Sequence, residues 1–353
     1  MLPDEYKIAS DAELKKRILT AKEKYGKRLV ILGHHYQRDD VIEMANFRGD
    51  SYALCINAAE QKQAEFIVFC GVYFMAEAAD ILSSDSQIVH LPDIHSGCPL
   101  ANFADLSMVT HAWQELSSVC DVESIVPVTY VNSSAELKAF CGEYDGVVCT
   151  SSNARGAMAW AFERGEKAFF FPDQHLGANT ANRMGISEGQ RIVWDPKKPF
   201  GGNDPEKIRQ AKIIVWKGHC LVHTAFKVQH IEHFREQYPD GKVIVHPECS
   251  ESVVNASDAS GSTSHIIQYV DQAPAGSVIA VGTEINLVNR LSNSYSNKKI
   301  IPLSRSMCAN MYKINLNNLC WTLDNLGKVN IVSVPNTVKS DARKALDRML
   351  QIR

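Results

Sequence analysis

The chain has 353 residues, and its 37 Lys and Arg against 40 Asp and Glu give a formal net charge of -3. This balance offers no basic excess for a phosphate backbone or an anionic membrane, so we expect neither nucleic acid nor membrane as a partner. The N-terminus, MLPDEYKIASDAELKKR, lacks the apolar core of a secretory signal, which predicts a cytoplasmic protein.

Strand-like runs followed by helix-like runs recur along the chain and predict α/β units with parallel sheets. The pattern repeats in three blocks, whose first strands are RLVILGHHYQ, IVPVTYVNSS and KVIVHPECSE. Each of these strands ends in two polar side chains at positions i and i+2, which an extended backbone directs to one face. The pairs are His34 with Tyr36, Tyr130 with Asn132, and His246 with Glu248. His35 and Cys249 lie between or beside the pairs and are expected to face the other way.

Two further signals recur in the blocks. A hydroxyl residue opens a helix in each block, at Ser51, Ser151 and Thr263, where such residues act as helix caps and where N–H groups bind anions. The last strand-like run of each block leads to one cysteine, and these are Cys98, Cys220 and Cys308. No Walker loop and no Gly-x-Gly-x-x-Gly follows a strand, so the sequence does not indicate a nucleotide cofactor.

The repeat defines the predicted domains. Three αβα domains are expected at residues 20–104, 105–225 and 226–310, flanked by an N-terminal helical segment, 1–19, and a C-terminal helical tail, 311–353. Ligands of parallel sheets bind beyond the carboxyl ends of the strands, so the polar tips are expected to line one central cavity. The segment SEGQRIVWDPKKPFGGNDPEKIRQAK in block two has loop composition and is predicted to be a surface excursion.

The chain contains 10 cysteines without a tight Cys-x-x-Cys pair. Packing in the core is the expected role of six of them, Cys55, Cys70, Cys120, Cys141, Cys149 and Cys320. The three that share one position in the repeat are candidate ligands for Zn²⁺ with an open coordination position or for a 4Fe-4S cluster with one iron lacking a cysteine. Their spacing does not distinguish the two metals.

Taken together, the motifs HHYQ, GDS, FMAE, SGCP, YVNSSAE, CTSSNA, FPDQHLG, GHCLVH, HPEC, GSTS and MCANM resemble those of the quinolinate synthase family over nearly the whole chain. The resemblance implies three pseudo-threefold-related αβα sandwich domains around a 4Fe-4S cluster. It also implies condensation of iminoaspartate with dihydroxyacetone phosphate to quinolinate, phosphate and water in NAD biosynthesis, with L-aspartate oxidase as an upstream partner.

Carried over by position, the resemblance places the cluster on Cys98, Cys220 and Cys308. It implies catalytic roles for Glu248, Tyr36 and His34, with Glu248 as the general base. The implied substrate-binding residues are His34, Ser51, Tyr130, Val131, Asn132, Ser151, His246, Pro247, Glu248 and Thr263. The sequence departs from the family pattern at Ala78 and Asp80 in FMAEAAD, and neither is a ligand position.

Two other classes of function fit part of the pattern. A zinc-dependent aldolase or hydrolase would use the same three cysteines with a bound water. A non-enzymatic iron-sulfur sensor would need a partner surface or a DNA-binding segment, and the sequence has no basic helix for that purpose.

Overall fold

A computed structural model describes residues 2–352, which form two compact units. Unit 1 comprises the chain up to Cys98 together with Glu284–Arg290 and Met307–Pro335. Unit 2 comprises Pro99–Thr283, Leu291–Ser306 and the chain from Asn336 onward. The chain therefore passes between the units several times.

The strands are short, as is usual for sheets in α/β proteins. In chain order they are β1 (Leu29–His34), β2 (Phe47–Gly49), β3 (Phe66–Cys70), β4 (Ile88–His90), β5 (Ile125–Tyr130), β6 (Val147–Cys149), β7 (Lys167–Phe171), β8 (Arg191–Trp194), β9 (Ile213–Trp216), β10 (Lys242–Val245), β11 (Ala259–Ser260), β12 (Val278–Gly282), β13 (Lys299–Pro302) and β14 (Ile331–Val332).

Helices alternate with these strands. They are α1 (Asp4–Ile8), α2 (Asp11–Tyr25), α3 (Asp39–Ile42), α4 (Ser51–Glu60), α5 (Tyr73–Leu82), α6 (Leu106–Val119), α7 (Ala135–Glu143), α8 (Ala154–Phe162), α9 (Gln174–Arg183), α10 (Pro205–Gln210), α11 (Leu221–Thr224), α12 (Val228–Gln237), α13 (Glu251–Ala256), α14 (Thr263–Gln272), α15 (Ile285–Ser294), α16 (Leu316–Asp324) and α17 (Asn336–Gln351). Every helix within residues 2–352 falls short of the length and apolarity needed to cross a membrane.

Unit 1 contains one five-stranded sheet in the order β14-β4-β3-β1-β2. Its strands are parallel except for β14, which pairs antiparallel with β4. All six residues of β1 are buried, because helices such as α4 pack on the sheet and leave neither face in water. The segment after residue 310, predicted to be a helical tail, also supplies a strand to this sheet, namely β14.

Unit 2 contains a five-stranded sheet, β6-β5-β7-β9-β8, and a four-stranded sheet, β11-β10-β12-β13, and the printed pairings of both are parallel. Aromatic side chains of β7, β8 and β9 fill the core of the first sheet. Residues of α12 and α13 pack on β10 and β12 in the core of the second. The predicted fold class, α/β with three parallel-dominated sheets flanked by helices, is confirmed. The predicted domain boundaries stay predictions.

The prediction of a surface excursion in block two was wrong for part of that segment. Residues Arg191–Trp194 form β8, the edge strand that pairs with β9, and the Trp194 side chain is buried. Residues Pro205–Gln210 form α10, which begins after the N-cap residue Asp204. The Pro- and Gly-rich residues between β8 and α10 dominate the composition and conceal both elements.

One strand-to-helix connection has the same length in all three blocks. The strands β3, β7 and β12 each have five residues, and α5, α9 and α15 each have ten. Two residues link strand and helix each time, and the second of these precedes the helix directly. These second linking residues are Val72, Asp173 and Glu284. The repeat inferred from sequence pattern thus has an exact counterpart in the lengths of these elements.

The C-terminal helix α17 packs on α7 in unit 2. Gly142 of α7 allows this close approach, since a Cβ atom there would lie 1.9 Å from the backbone oxygen of Asp341. The end of α17 is held by Asn153, whose Nδ2 donates to the carbonyls of Met349 at 3.2 Å and Ile352 at 3.3 Å. Asn153 directly precedes α8, so the C-terminal residues brace the helix start next to Ser151.

Candidate active site

In unit 1, β1 ends at His34, which is buried. The Tyr36 N–H donates to Nδ1 of His34 at 3.1 Å, and the two rings meet edge to face with centroids 4.7 Å apart. The i, i+2 pair therefore lies on one side, as predicted. Ser51 is the first residue of α4, although Asp50 rather than Ser51 caps this helix by accepting the Ala53 N–H.

The same turn recurs in unit 2 after β10. The Glu248 N–H donates to Nδ1 of His246 at 3.4 Å, and the Cys249 N–H donates to the carbonyl of His246 at 3.0 Å. In unit 1 the Gln37 N–H makes the corresponding bond to the carbonyl of His34 at 2.9 Å. Cys249 packs in the hydrophobic core, which confirms that it faces away from the pair.

Glu248 is the centre of a buried polar cluster in unit 2. The Tyr130 hydroxyl donates a short hydrogen bond to Oε1 of Glu248, and Nδ1 of His223 lies 2.9 Å from Oε2. The His223 and His246 rings stack with centroids 4.2 Å apart, and Nε2 of His246 lies 3.2 Å from Oγ of Ser151. Since Nδ1 of His246 accepts a backbone N–H, the neutral tautomer carries its proton on Nε2 and donates it to Ser151.

The electrostatics of this cluster favour an ionised Glu248. Burial disfavours its charge, but the charges of His223 and His246 and hydrogen bonds from His223 and Tyr130 outweigh burial and lower the pKa of Glu248 to about 2. Asp173 shows the opposite balance, because burial and the charge of Glu248 raise its pKa well above the ordinary value. Two neighbouring carboxyl groups with pKa values pushed apart are a frequent feature of sites of proton transfer.

Other predicted residues of unit 2 lie at the same strand ends. Oδ1 of Asn132 is buried and has no hydrogen-bond partner among residues 2–352, so it can accept a hydrogen bond from a polar ligand. Val131 and Pro247 are held through their backbones, since the Val131 N–H donates to the Cys149 carbonyl and the Pro247 carbonyl accepts from an amide side chain. Thr263 is buried and is the first residue of α14.

The cysteines differ in their burial. Four of the ten are half-buried, namely Cys98, Cys120, Cys220 and Cys308, and the others are buried. Metal ligands must be thiolates, whereas burial keeps most of the remaining thiols protonated. It raises the pKa values of Cys70 and Cys320 to about 12, and it raises those of Cys120, Cys141, Cys149 and Cys249. Cys55 is only 3% exposed.

The three predicted ligands, Cys98 and Cys308 in unit 1 and Cys220 in unit 2, are thus among the four half-buried cysteines, and the fourth is Cys120, whose thiol pKa burial raises. Three thiolates fit a 4Fe-4S cluster with one iron lacking a cysteine, and they also fit Zn²⁺ with an open position. The predicted ligand set therefore agrees with the chemistry of the donors, and it stays a prediction.

The sequence analysis missed three residues of the candidate site. His223 contacts Glu248, and its position three residues after Cys220, on the short helix α11, was the available signal. Asp173 and Glu284 are fully buried acids at equivalent linking positions of the repeat. Block one has the apolar Val72 at that position, so a comparison of the three blocks did not show that the position is acidic in the other two.

Comparisons with known proteins identify the family to which the chain belongs. The family model NadA, described as quinolinate synthetase A protein, matches residues 16–351. A quinolinate synthase of Corynebacterium glutamicum is 50% identical over 357 residues, which cover 100% of this chain and 91% of the relative. Another from Herpetosiphon aurantiacus is 50% identical over 99% of this chain and 95% of the relative. A third, from Streptomyces coelicolor, is 46% identical over 99% of this chain and 91% of the relative.

Proposed function

The chain belongs to the quinolinate synthase family, and from this premise we propose that it condenses iminoaspartate with dihydroxyacetone phosphate to give quinolinate, phosphate and water. We further propose that Cys98, Cys220 and Cys308 hold a 4Fe-4S cluster. The observation that carries the proposal is that these three thiols are among the four half-buried cysteines, whereas six of the other seven cysteines are buried. When bound, such a cluster supplies an iron without a cysteine ligand that can act as a Lewis acid toward a substrate oxygen.

The substrates carry two carboxylates and a phosphate, so the site must supply hydrogen-bond donors. In unit 2 the hydroxyls of Ser151 and Thr263 lie at or near helix starts, where backbone N–H groups also favour anions. Asn132 adds a side-chain amide, whose Nδ2 is a donor and whose Oδ1, an acceptor, lacks a partner among residues 2–352. In unit 1, His34 and Ser51 occupy the corresponding strand tip and helix start. We propose that these residues bind and orient the substrates.

Ring closure requires proton transfers next to an imine or carbonyl. We propose that Glu248 acts in these transfers together with its hydrogen-bonded neighbours. A carboxylate with a pKa of about 2 is a weak base at neutral pH, but the Tyr130 hydroxyl and the His223 imidazole bonded to it can exchange protons through it. In unit 1, Tyr36 is the proposed counterpart beside His34. The burial of Glu248, His223 and His246 excludes water, which protects an imine from hydrolysis.

The chemistry of the substrates also bears on the setting of the enzyme. An imine of aspartate is short-lived in water, so we propose that an L-aspartate oxidase supplies it nearby. Thiolate ligands persist in a reducing compartment, and we therefore propose a cytoplasmic location.

Substitution of the cysteines tests the proposal. Protein prepared without oxygen should contain iron and sulfide in equal amounts, and Cys98→Ser, Cys220→Ser and Cys308→Ser should each abolish cluster absorbance and quinolinate formation. Cys120→Ser is the matched control, because Cys120 is also half-buried but has a raised pKa. Full cluster occupancy in Cys220→Ser would contradict the assignment of the ligands.

A second candidate function, that of a zinc lyase or hydrolase, is favoured by one cluster of side chains. Ligand atoms of Cys220, His223 and Glu248 all lie within 4.8 Å of one another, which is a donor set that suits Zn²⁺ in a lyase or hydrolase. The two Glu248 oxygens are already engaged by Tyr130 and His223, which weighs against it. One zinc per chain without sulfide, in a colourless active protein, would support this candidate over the synthase.

A further inference from the structure

Asp173 lies between the start of α9 and the loop that carries Cys220. Its Oδ1 accepts the Leu176 N–H at 2.8 Å, and the backbone N–H groups of His175 and Cys220 face its carboxyl group, whose Oδ2 has no hydrogen-bond partner among residues 2–352. His175 and Leu176 are the second and third residues of the helix. A fully buried acid thus caps the first helical turn and lies beside the backbone N–H of a proposed ligand.

Glu284 occupies the equivalent position in unit 1. Its Oε2 accepts the Asn286 N–H at 2.8 Å and its Oε1 accepts the Cys308 N–H at 3.4 Å, while the Leu287 N–H also faces its carboxyl group. Asn286 and Leu287 are again the second and third residues of the helix, here α15. A buried acid thus lies beside the N–H of a proposed cysteine ligand in two blocks of the repeat, and in the block of Glu284 the two are hydrogen-bonded.

Block one differs, because its linking residue is the apolar Val72. The Tyr73 N–H donates to the carbonyl of Ser96 at 2.8 Å, and Oγ of Ser96 donates to the carbonyl of Gly71 at 3.0 Å. The loop before Cys98 is thus held two residues upstream of the cysteine.

Block two contains this upstream contact as well, since the Gln174 N–H donates to the carbonyl of Gly218 at 2.9 Å. The approach is close enough that a Cβ atom on Gly218 would lie 2.3 Å from the carbonyl oxygen of Pro172. The Cys220 loop therefore packs directly on the corner that contains Asp173. The carboxyl group of Asp173, which the Cys220 N–H faces, is an addition to a contact that blocks one and two share.

We propose that Asp173 and Glu284 are positioning residues that fix the backbone of Cys220 and Cys308 for cluster binding. The inference rests on the proposed function, which places the cluster on these cysteines. A thiolate lies one rotatable bond from its backbone, so an anchored N–H restricts where the sulfur can be. Helix capping alone would not require an acid, because Ser or Thr serves as well at an N-cap. Burying an acid is costly unless its oxygens find donors, and the donors beside Asp173 and Glu284 include the N–H of a proposed cysteine ligand in each case.

Glu284 also connects the Cys308 backbone to the candidate catalytic loop of unit 1. Nδ2 of Asn286 donates to Oε1 of Glu284 at 3.1 Å and to the carbonyl of Tyr36 at 3.2 Å. Arg290 holds the neighbouring carbonyls of His35 and Gln37. Fixing Cys308 through Glu284 therefore also fixes the turn that presents Tyr36.

The experiment places serine at all three equivalent positions, in Asp173→Ser, Glu284→Ser and Val72→Ser. Serine retains a hydroxyl that can cap the helix, but it lacks the second carboxyl oxygen, which in Glu284 accepts the Cys308 N–H. Val72→Ser is the matched control, because it disturbs the same corner without removing a contact to a cysteine. Holoenzyme is prepared without oxygen and mixed with a ferrous-iron chelator, and the decay of cluster absorbance is followed. Melting of the cluster-free proteins reports the fold separately.

Residues behind metal ligands typically change metal affinity about 10- to 100-fold, so we expect Asp173→Ser and Glu284→Ser to lose the cluster at least about 10-fold faster than the parent. Val72→Ser should lose it at the parental rate, even where its melting temperature falls. Parental cluster decay in both acid variants would overturn the inference and leave the acids as helix caps. Equal acceleration in Val72→Ser would overturn it too, because the effect would then be a general loosening of the corner.

The test must also cover a serine variant that does not fold and must separate failure of the inference from failure of the proposed function. If a serine variant does not fold, Asp173→Asn and Glu284→Gln preserve volume and one acceptor oxygen, and a less than 3-fold change in decay in these variants would count against the inference. Failure of the inference is distinct from failure of the proposed function. A stable cluster in the serine variants with a cluster lost in Cys220→Ser rejects only the positioning role, whereas a parent protein without iron and sulfide rejects both.

Discussion

Glu248→Gln removes one charge from the centre of the buried cluster while preserving its shape. The Gln oxygen can still accept the Tyr130 hydroxyl, and the Gln amide would face Nδ1 of His223. His223 can accommodate this change by moving its proton from Nδ1 to Nε2, where Oγ of Thr283 lies 3.3 Å away as an acceptor. We therefore expect the variant to fold.

The structure sets the size of two separate effects. Hydrogen bonds to a charged group contribute about 1.5 to 3 kcal/mol each, against about 0.5 to 1.5 kcal/mol for neutral ones. Converting the bonds from Tyr130 and His223 to neutral ones should therefore lower the free energy of unfolding by about 1 to 3 kcal/mol. Proton transfer by a positioned group typically contributes about 10²- to 10⁴-fold to the rate, so turnover should fall by that order while the Michaelis constants change much less.

Quinolinate formation, cluster absorbance and denaturant unfolding should be measured on one oxygen-free preparation. Glu251→Gln is the matched control, because it makes the same chemical change three residues away, where it affects the ion pair with Arg191 at 2.9 Å and the hydrogen bond from Asn182 at 2.8 Å. That control should retain near-parental turnover. Turnover of Glu248→Gln within about 3-fold of the parent, together with reduced stability, would refute the role in proton transfer and leave Glu248 as a structural centre for Tyr130 and the two imidazoles.

Three further predictions follow from other parts of the structure. Quinolinate should perturb the electronic spectrum of the cluster if an iron without a cysteine ligand contacts substrate oxygens, and unchanged iron signals at saturation would exclude that contact. Gly142→Ala should destabilise the protein by about 1 to 3 kcal/mol in denaturant unfolding, because its Cβ would lie 1.9 Å from the backbone oxygen of Asp341, whereas Gly189→Ala, with nothing within 4 Å, should not. Burial, with the charges of Arg290 and Arg48, lowers the pKa of His35 to about 4. The folded state therefore favours neutral His35, and this contribution to the free energy of unfolding is complete above pH 6.5 and is lost as the pH falls toward 4. This loss amounts to about 3 kcal/mol at most, and denaturant unfolding of His35→Gln should show a smaller decrease over that range than the parent.

Local pattern was enough to predict much of the fold and part of the site. The buried runs that became β1, β5 and β10 were visible because strands of covered parallel sheets are apolar on both faces. The side-by-side placement of His34 and Tyr36 followed from the period of two in an extended chain.

The features that sequence analysis missed depend on contacts between distant segments. Strand β14 has two residues, too few for any periodicity, and it exists because Ile331 and Val332 pair with His90 and Val89. Asp80, which departs from the family pattern, is used in the same region, where it accepts the Val334 N–H at 2.9 Å. The role of His223 likewise depends on Glu248, a residue 25 positions away. Such partners are fixed by packing, which a single sequence does not display.

The three strand tips also show how one repeated position acquires different chemistry. His34 and His246 each accept a backbone N–H from two residues further along, so their rings help to close their own turns. Tyr130 occupies the equivalent position in block two, where Ser133 closes the turn by donating from Oγ to the carbonyl of Tyr130 at 2.7 Å. The longer phenol then reaches Glu248, 118 residues away, within unit 2. A histidine at position 130 would be expected to bond to its own turn and to leave Glu248 with one donor fewer, so the departure from histidine in block two is what completes the buried cluster.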